Sequence, residues 1–175
     1  MKRLYLFLLG GVAALSCYSA SVAAQALVGA DADPHWREAE VELPAAPQAS
    51  ALREFFVSSA SPNTFFIDER SLSVGEDGVV RYVLVVRTPG GAQNVTFEGI
   101  RCKTGQRRIY ASGRADGSWS KARDATWVDI SNNGYNRPRA ALAAEYFCDG
   151  PVPPRDRNEA LRRLRHAGGT DSPYR

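Results

Sequence analysis

The centre of the chain alternates. From Val79 to Arg87 the even positions, Val80, Tyr82, Leu84 and Val86, are apolar apart from one hydroxyl, while the odd positions run Arg81, Val83, Val85, Arg87. A period of two over this length predicts a long strand. Its even face belongs to a core. Its odd face is half wet or covered by another element. Asp77-Gly78 precedes it and follows Leu72-Ser73-Val74, which is a hairpin signal. Pro89-Gly90-Gly91 turns the chain, and residues 95–102 return. On the return, Thr96, Glu98, Ile100 and Cys102 share one side; Val95, Phe97 and Gly99 share the other. If Cys102 is buried, Glu98 lies on its face and requires an arginine partner or hydrogen bonds.

Shorter signals flank this hairpin. Residues 52–57 and 65–67 are aromatic-rich strand segments parted by the turn Ser61-Pro62-Asn63. Asp68 can cap the turn Glu69-Arg70-Ser71. Residues 107–111 extend a meander. Ala115-Asp116-Gly117-Ser118 turns it again, before Trp119 and a segment around Trp127. Pro138 suits the first turn of a helix, residues 140–147 have helical composition, and Cys148 ends it. After the stiff Pro151-Val152-Pro153-Pro154 linker, Asp156 with Glu159 opens a short helix, Arg157–His166, which Gly168 ends. Its apolar anchors are Leu161 and Leu164. Residues 25–50, rich in Ala, Pro and acids, read as a flexible lead-in that the Trp36 indole can pin to the body. The expected organisation is a leader at 1–24, the lead-in at 25–50, an α+β domain at 51–150, and a Pro-rich linker with a basic tail at 151–175. The domain is an antiparallel sheet of about five or six strands covered by a C-terminal helix.

Charge and cysteines place the chain. Lys2 and Arg3 precede a run of about a dozen apolar residues at 4–15, the length of a secretory h-region and too short to span a bilayer. Val22-Ala23-Ala24 sets cleavage before Gln25. A lipoprotein reading, with Ala14-Leu15-Ser16 before Cys17, fits less well. The expected location is the periplasm, with an outer-membrane lipoprotein or cell-surface site as alternatives. Removing Lys2 and Arg3 takes the formal charge from +3 to +1. Residues 151–175 hold six arginines against three acids, which leaves the body at −2. The body is therefore not a basic nucleic-acid binder, and only the tail suits weak contact with an anionic surface. Export leaves Cys102 and Cys148 as a pair in an oxidising compartment, and a disulfide is the natural reading. The loop it closes is worth about 4 kcal/mol in the chain-entropy account.

Reactive constellations are scarce. His35 and His166 sit near opposite ends, so neither a nucleophile–base pair nor a metal site assembles from them. No cofactor is expected. Glu98, the one acid inside an expected strand, is the candidate for acid–base chemistry on a glycan, and a structural ion pair is the competing reading. Gly90-Gly91 and Gly75-Glu76-Asp77-Gly78 are hairpin turns rather than phosphate cradles. Arg107, Arg108, Tyr110, Trp119 and Trp127 form a candidate contact surface, because Trp, Tyr and Arg dominate binding hot spots; packing within the sheet is the alternative.

Several ordered motifs carry a resemblance. Phe66-Ile67-Asp68, Ser71-Leu72-Ser73-Val74-Gly75, Asp77-Gly78-Val79-Val80-Arg81-Tyr82 and Asn94-Val95-Thr96-Phe97-Glu98-Gly99-Ile100-Arg101-Cys102 resemble the cryptic neisserial protein-like family. Trp119, Trp127 and Tyr146-Phe147-Cys148 continue it in order. The resemblance implies an exported protein of Gram-negative bacteria and carries over no catalytic residues. A weaker likeness, at the level of fold, is to surface-adhesin protein E, an exported β-sheet protein with a disulfide that binds host matrix proteins. The expected function is a non-catalytic envelope or periplasmic module that binds a protein or envelope component. A surface adhesin binding host matrix proteins and an enzyme using Glu98 are the alternatives.

Overall fold

The computed structural model describes residues 33–167. The leader, its cleavage site, Cys17 and the Gly168 helix end lie outside them. The seven strands are β1 (Leu52–Phe55), β2 (Thr64–Val74), β3 (Val79–Arg87), β4 (Gln93–Arg101), β5 (Gln106–Gly113), β6 (Trp119–Lys121) and β7 (Val128–Asp129). They form one antiparallel sheet in sequence order from β1 to β6, and β7 pairs with the other end of β5. Helix α1 (Arg137–Ala141) has Pro138 in its first turn and continues as a π-helical segment, Leu142–Phe147. Helix α2 (Arg157–His166) begins at Asp156, whose carboxylate accepts the Glu159 N–H at 2.8 Å. The fold is α+β with a C-terminal helical layer, as the patterning predicts.

The alternation of β3 assigns the two faces. Val80, Tyr82 and Leu84 are fully buried with Ile67, Leu72 and Ile100, against Leu142, Phe147 and Leu164 of the helical layer. The Tyr82 ring lies 5.5 Å from Phe147. The odd face is not wet. Val83, Val85 and Phe97 are buried, with Val41 and Leu43 of the lead-in and Trp119 packed on them. The cover is an extended segment, residues 36–47, which we call the strap.

Two expectations change. The lead-in is not a free arm over this stretch. Glu40-Val41-Glu42-Leu43 alternates, so one side of an extended chain is apolar and buries itself. The basic tail expected at 151–175 is also part of the body as far as α2, which docks on β2 and on the π-helical segment. Ala160, Leu161 and Leu164 are buried, and each leucine contributes about 2 kcal/mol by leaving water. Arg163 adds a hydrogen bond from Nη1 to the Phe147 carbonyl at 2.7 Å.

Residues 65–67 and 72–74, separate in the sequence reading, belong to one strand interrupted by a bulge between Asp68 and Ser73. The Asp68 carboxylate accepts the Arg70 N–H at 3.1 Å, and the Ser71 hydroxyl accepts the Val83 N–H at 2.8 Å. These side chains supply acceptors where the ladder breaks. Cys102 and Cys148 form a disulfide with a Cα–Cα separation of 5.5 Å, which ties the end of β4 to the end of the π-helical segment.

Candidate functional site: a carboxylate seat beneath the strap

The strap's Glu38 enters a seat built by the sheet. Its carboxylate accepts from the Tyr110 hydroxyl at 2.5 Å, Trp127 Nε1 at 3.3 Å and Arg81 Nη2 at 3.4 Å, and also from Arg108 Nη1. Each donor has a local reason to be there. Arg81 stands on the odd face of β3. Asp77 holds it with Oδ2 at 2.5 Å from Nη2, and the Asp77-Gly78 turn is set by the positive φ of Gly78. Tyr110 is the extra residue of a β5 bulge: Glu98 pairs with Ile109 and Phe97 with Ala111, so Tyr110 faces no partner. Its ring crosses β4 at Gly99, where a Cβ would come within 2.6 Å of the hydroxyl. A side chain at position 99 would lift that hydroxyl off Glu38.

Trp36 fixes the upstream end of the strap. Its indole Nε1 donates to the Asp77 carbonyl at 2.9 Å, the Arg101 guanidinium lies 3.8 Å from its ring centre, and Trp127 meets it edge-on at 5.9 Å. The cation–π contact is worth about 1 kcal/mol in such a setting. The Ala39 N–H donates to Asp77 Oδ2 at 2.8 Å. Downstream, Trp119 Nε1 donates to the Pro44 carbonyl at 2.7 Å.

Electrostatics favour the charged Asp77–Arg81 pair. Burial opposes charge on Asp77, yet hydrogen bonds from Arg81, Ala39 and Val79 outweigh it and hold its pKa below the usual value. Burial likewise opposes charge on Arg81, and Asp77 reverses that. Burial first, then the hydrogen bond to Glu38, pushes Tyr110 well up, so it remains a donor.

The candidate contact residues therefore divide. Arg108, Tyr110 and Trp127 meet at Glu38, and Trp119 lies further along the strap on Pro44 and Phe97; Tyr110 is buried and the other three are half-buried. Arg107 is separate, with its guanidinium 5.9 Å from the exposed Tyr135 ring. Trp36 was legible as a pin, whereas Glu38, Arg81 and Asp77 were not assigned to this site. The Glu40–Leu43 alternation was the available signal.

On the helix face, Glu98 is fully buried and pairs with Arg139 through Nε at 2.9 Å and through Nη2. The Thr96 hydroxyl donates to Glu98 Oε1 at 2.5 Å, and the Tyr82 hydroxyl donates to Oε2 at 3.4 Å. Burial would lower the Arg139 pKa, but the Glu98 charge and hydrogen bonds raise it. Burial, then Glu98, pushes Tyr82 well above its ordinary value. Both Glu98 oxygens are occupied within a packed sheet, which is the structural ion pair weighed against acid–base chemistry. Among the described residues no group of three His, Cys, Asp or Glu side chains gathers as metal ligands. In the same range no helix is long and apolar enough to cross a membrane.

The combination of a disulfide-stapled meander, a closed buried ion pair and a strap-covered odd face defines a small α+β protein. The profile of the CNP1-like family matches residues 31–165, and the chain belongs to that family. It is 27% identical over 154 residues to Cryptic neisserial protein 1 of Neisseria gonorrhoeae, covering 79% of this chain and 75% of that protein. No solved structure matches the chain.

Proposed function

We propose that the protein is a non-catalytic binding module of the bacterial envelope, exported to the periplasm, that holds a protein or envelope component. The observation that carries this reading is the seat on the odd face of the sheet. It holds an extended segment through Trp, Tyr and Arg side chains, the types that dominate binding hot spots. The Cys102–Cys148 bond suits an oxidising compartment, and the basic, apolar and small-residue series at 2–24 suits export. Glu98 is committed to Arg139, which argues against a glycan hydrolase built on it.

The tail supports only a limited role at anionic surfaces. Leu161 and Leu164 point into the core, Arg155 and Arg163 pair with Glu159, and Arg165 pairs with Glu69. Cell fractionation tests the location. The expected result is a chain starting at Gln25 in the shock-released fluid, resistant to protease shaving of intact cells, with no free thiol. Shaving from intact cells would move the reading to a surface adhesin; a cytoplasmic chain with two free thiols would overturn export. Crosslinking in cells tests the binding half. A discrete adduct is expected, and a chain that stays monomeric overturns it.

A further inference from the structure

The strap is seated the way a peptide ligand is seated. Among the described residues, residues 37–47 make no main-chain to main-chain hydrogen bond with the sheet. The segment is held by Trp36, Glu38, Val41 and Leu43, by one amide on Asp77, and by the Pro44 carbonyl on Trp119. An extended segment docked through side-chain pockets rather than a ladder is one of the recurring ways a peptide ligand is bound. The face beneath also cannot be left bare, since Val83, Val85 and Phe97 would meet water.

The seat also offers more than the strap uses. Arg81 pairs with Glu38 and Asp77, Arg108 pairs with Glu38, and Arg101 stacks on the Trp36 ring beside them. Arg81 Nε, Arg108 Nε and Arg101 Nη2 are buried and have no hydrogen-bond acceptor among the described residues. Arg81 is 6% exposed and Arg101 is 8% exposed, so these are costly donors to leave unused. Glu40 and Glu42 of the strap are exposed and do not answer them. A ligand with further acceptors at this end complements the site better than the strap does.

We propose that the seat is a recognition site for an extended acidic segment of a partner protein, for which the strap is the resident stand-in that the partner displaces. This rests on the binding-module reading above and specifies its site. The chemistry that fits is read from the occupant: an aromatic residue, a glutamate two positions later, apolar residues three and five beyond the glutamate, then proline. Added acids near the aromatic end would take up the unused arginine donors. Because the strap competes at an effective concentration on the order of mM, the resting protein binds such a segment weakly. Loosening the strap raises the fraction of competent seats and tightens binding in proportion.

The test uses the mature full chain and a fluorescent synthetic peptide of residues 34–47, read by anisotropy. Wild type is compared with the double variant Trp36→Ala, Glu38→Ala, and the peptide with a version carrying Gln in place of Glu38. The double variant is expected to bind the peptide at least tenfold more tightly than wild type, and the Gln peptide at least tenfold more weakly than the Glu peptide. A folded double variant that ignores the peptide overturns the proposal and leaves export and envelope binding at other surfaces standing. A wild-type chain that forms dimers by exchanging its own straps overturns the partner assignment in favour of a second copy. If the double variant does not fold, hydrogen exchange on wild type decides instead. The Ala39 amide, which Asp77 holds, is expected to exchange faster when peptide is added in excess; exchange that the peptide leaves unchanged overturns displacement.

Discussion

The two faces of the sheet each use a carboxylate to hold their cover, and they do so in opposite directions. On the helix face the acid comes from the sheet: Glu98 reaches out to Arg139 of α1, and the pair is shut away from water with its remaining lone pairs occupied. On the strap face the acid comes from the cover, as Glu38 enters a set of sheet arginines that stay partly unanswered. A closed pair adds little net stability over an apolar substitute but costs heavily when half is removed. An open seat is easier to leave. The same sheet thus carries one permanent cover and one that side chains alone retain.

The largest test of that contrast is Glu98→Ala, which leaves Arg139 buried without its counter-charge. A loss of about 5 kcal/mol is expected, seen as a fall in melting temperature of more than about 10 °C. Replacing both partners, Glu98→Met with Arg139→Leu, should restore most of it; failure to do so would mean that the pair has work beyond packing. Next is Cys102→Ser, expected to cost about 4 kcal/mol through the freed loop and to register in a urea melt. An unchanged midpoint would show that the helical layer needs no staple.

Glu38→Ala should cost less, about 2 kcal/mol for charge-assisted bonds at a partly exposed site. Its signature is local: changed fluorescence of Trp36 and Trp127 and faster exchange of the Ala39 amide, with β3 still protected. A collapse as severe as that of Glu98→Ala would erase the distinction between the faces. The smallest effect concerns Glu69, whose carboxylate the hydrogen bonds from Arg165 and Arg53 lower from 4.5 to about 2. A depressed carboxylate stabilises fully above its unfolded value and loses that contribution as pH falls through the folded one. Glu69→Gln should therefore remove under about 1 kcal/mol at pH 6 and flatten the loss of stability of the wild type between about pH 4.5 and 2.

The helix face was readable because its pattern is local. Nine residues of β3 name their own buried side, and Cys102 implied that Glu98 was buried with it. That Arg139 answers Glu98 could not be read, since arginines are numerous and the contact joins positions 41 apart. The strap face was only half readable. The odd side of β3 implied a cover, but the cover is a short extended segment inside a stretch dominated by Ala, Pro and acids. Arg108, Tyr110, Trp119 and Trp127 looked like hot-spot residues for the same reason that they bind the strap, and composition does not tell an internal ligand from an external one. The docking of α2 was obscured because two leucines on an arginine-rich helix resemble a surface element until β2 is in place.

The meander order has a consequence for assembly. Every strand from β1 to β5 pairs with its neighbour in sequence, so the ladders close over short loops and rapidly. The long-range docking steps are assigned to the two ends of the described chain: strap residues 36–47 on one face, α2 on the other. The topology predicts a sheet that nucleates in its middle and is finished from its ends, so clipping the strap should bare the odd face, and clipping α2 should bare only the part of the helix face over β2.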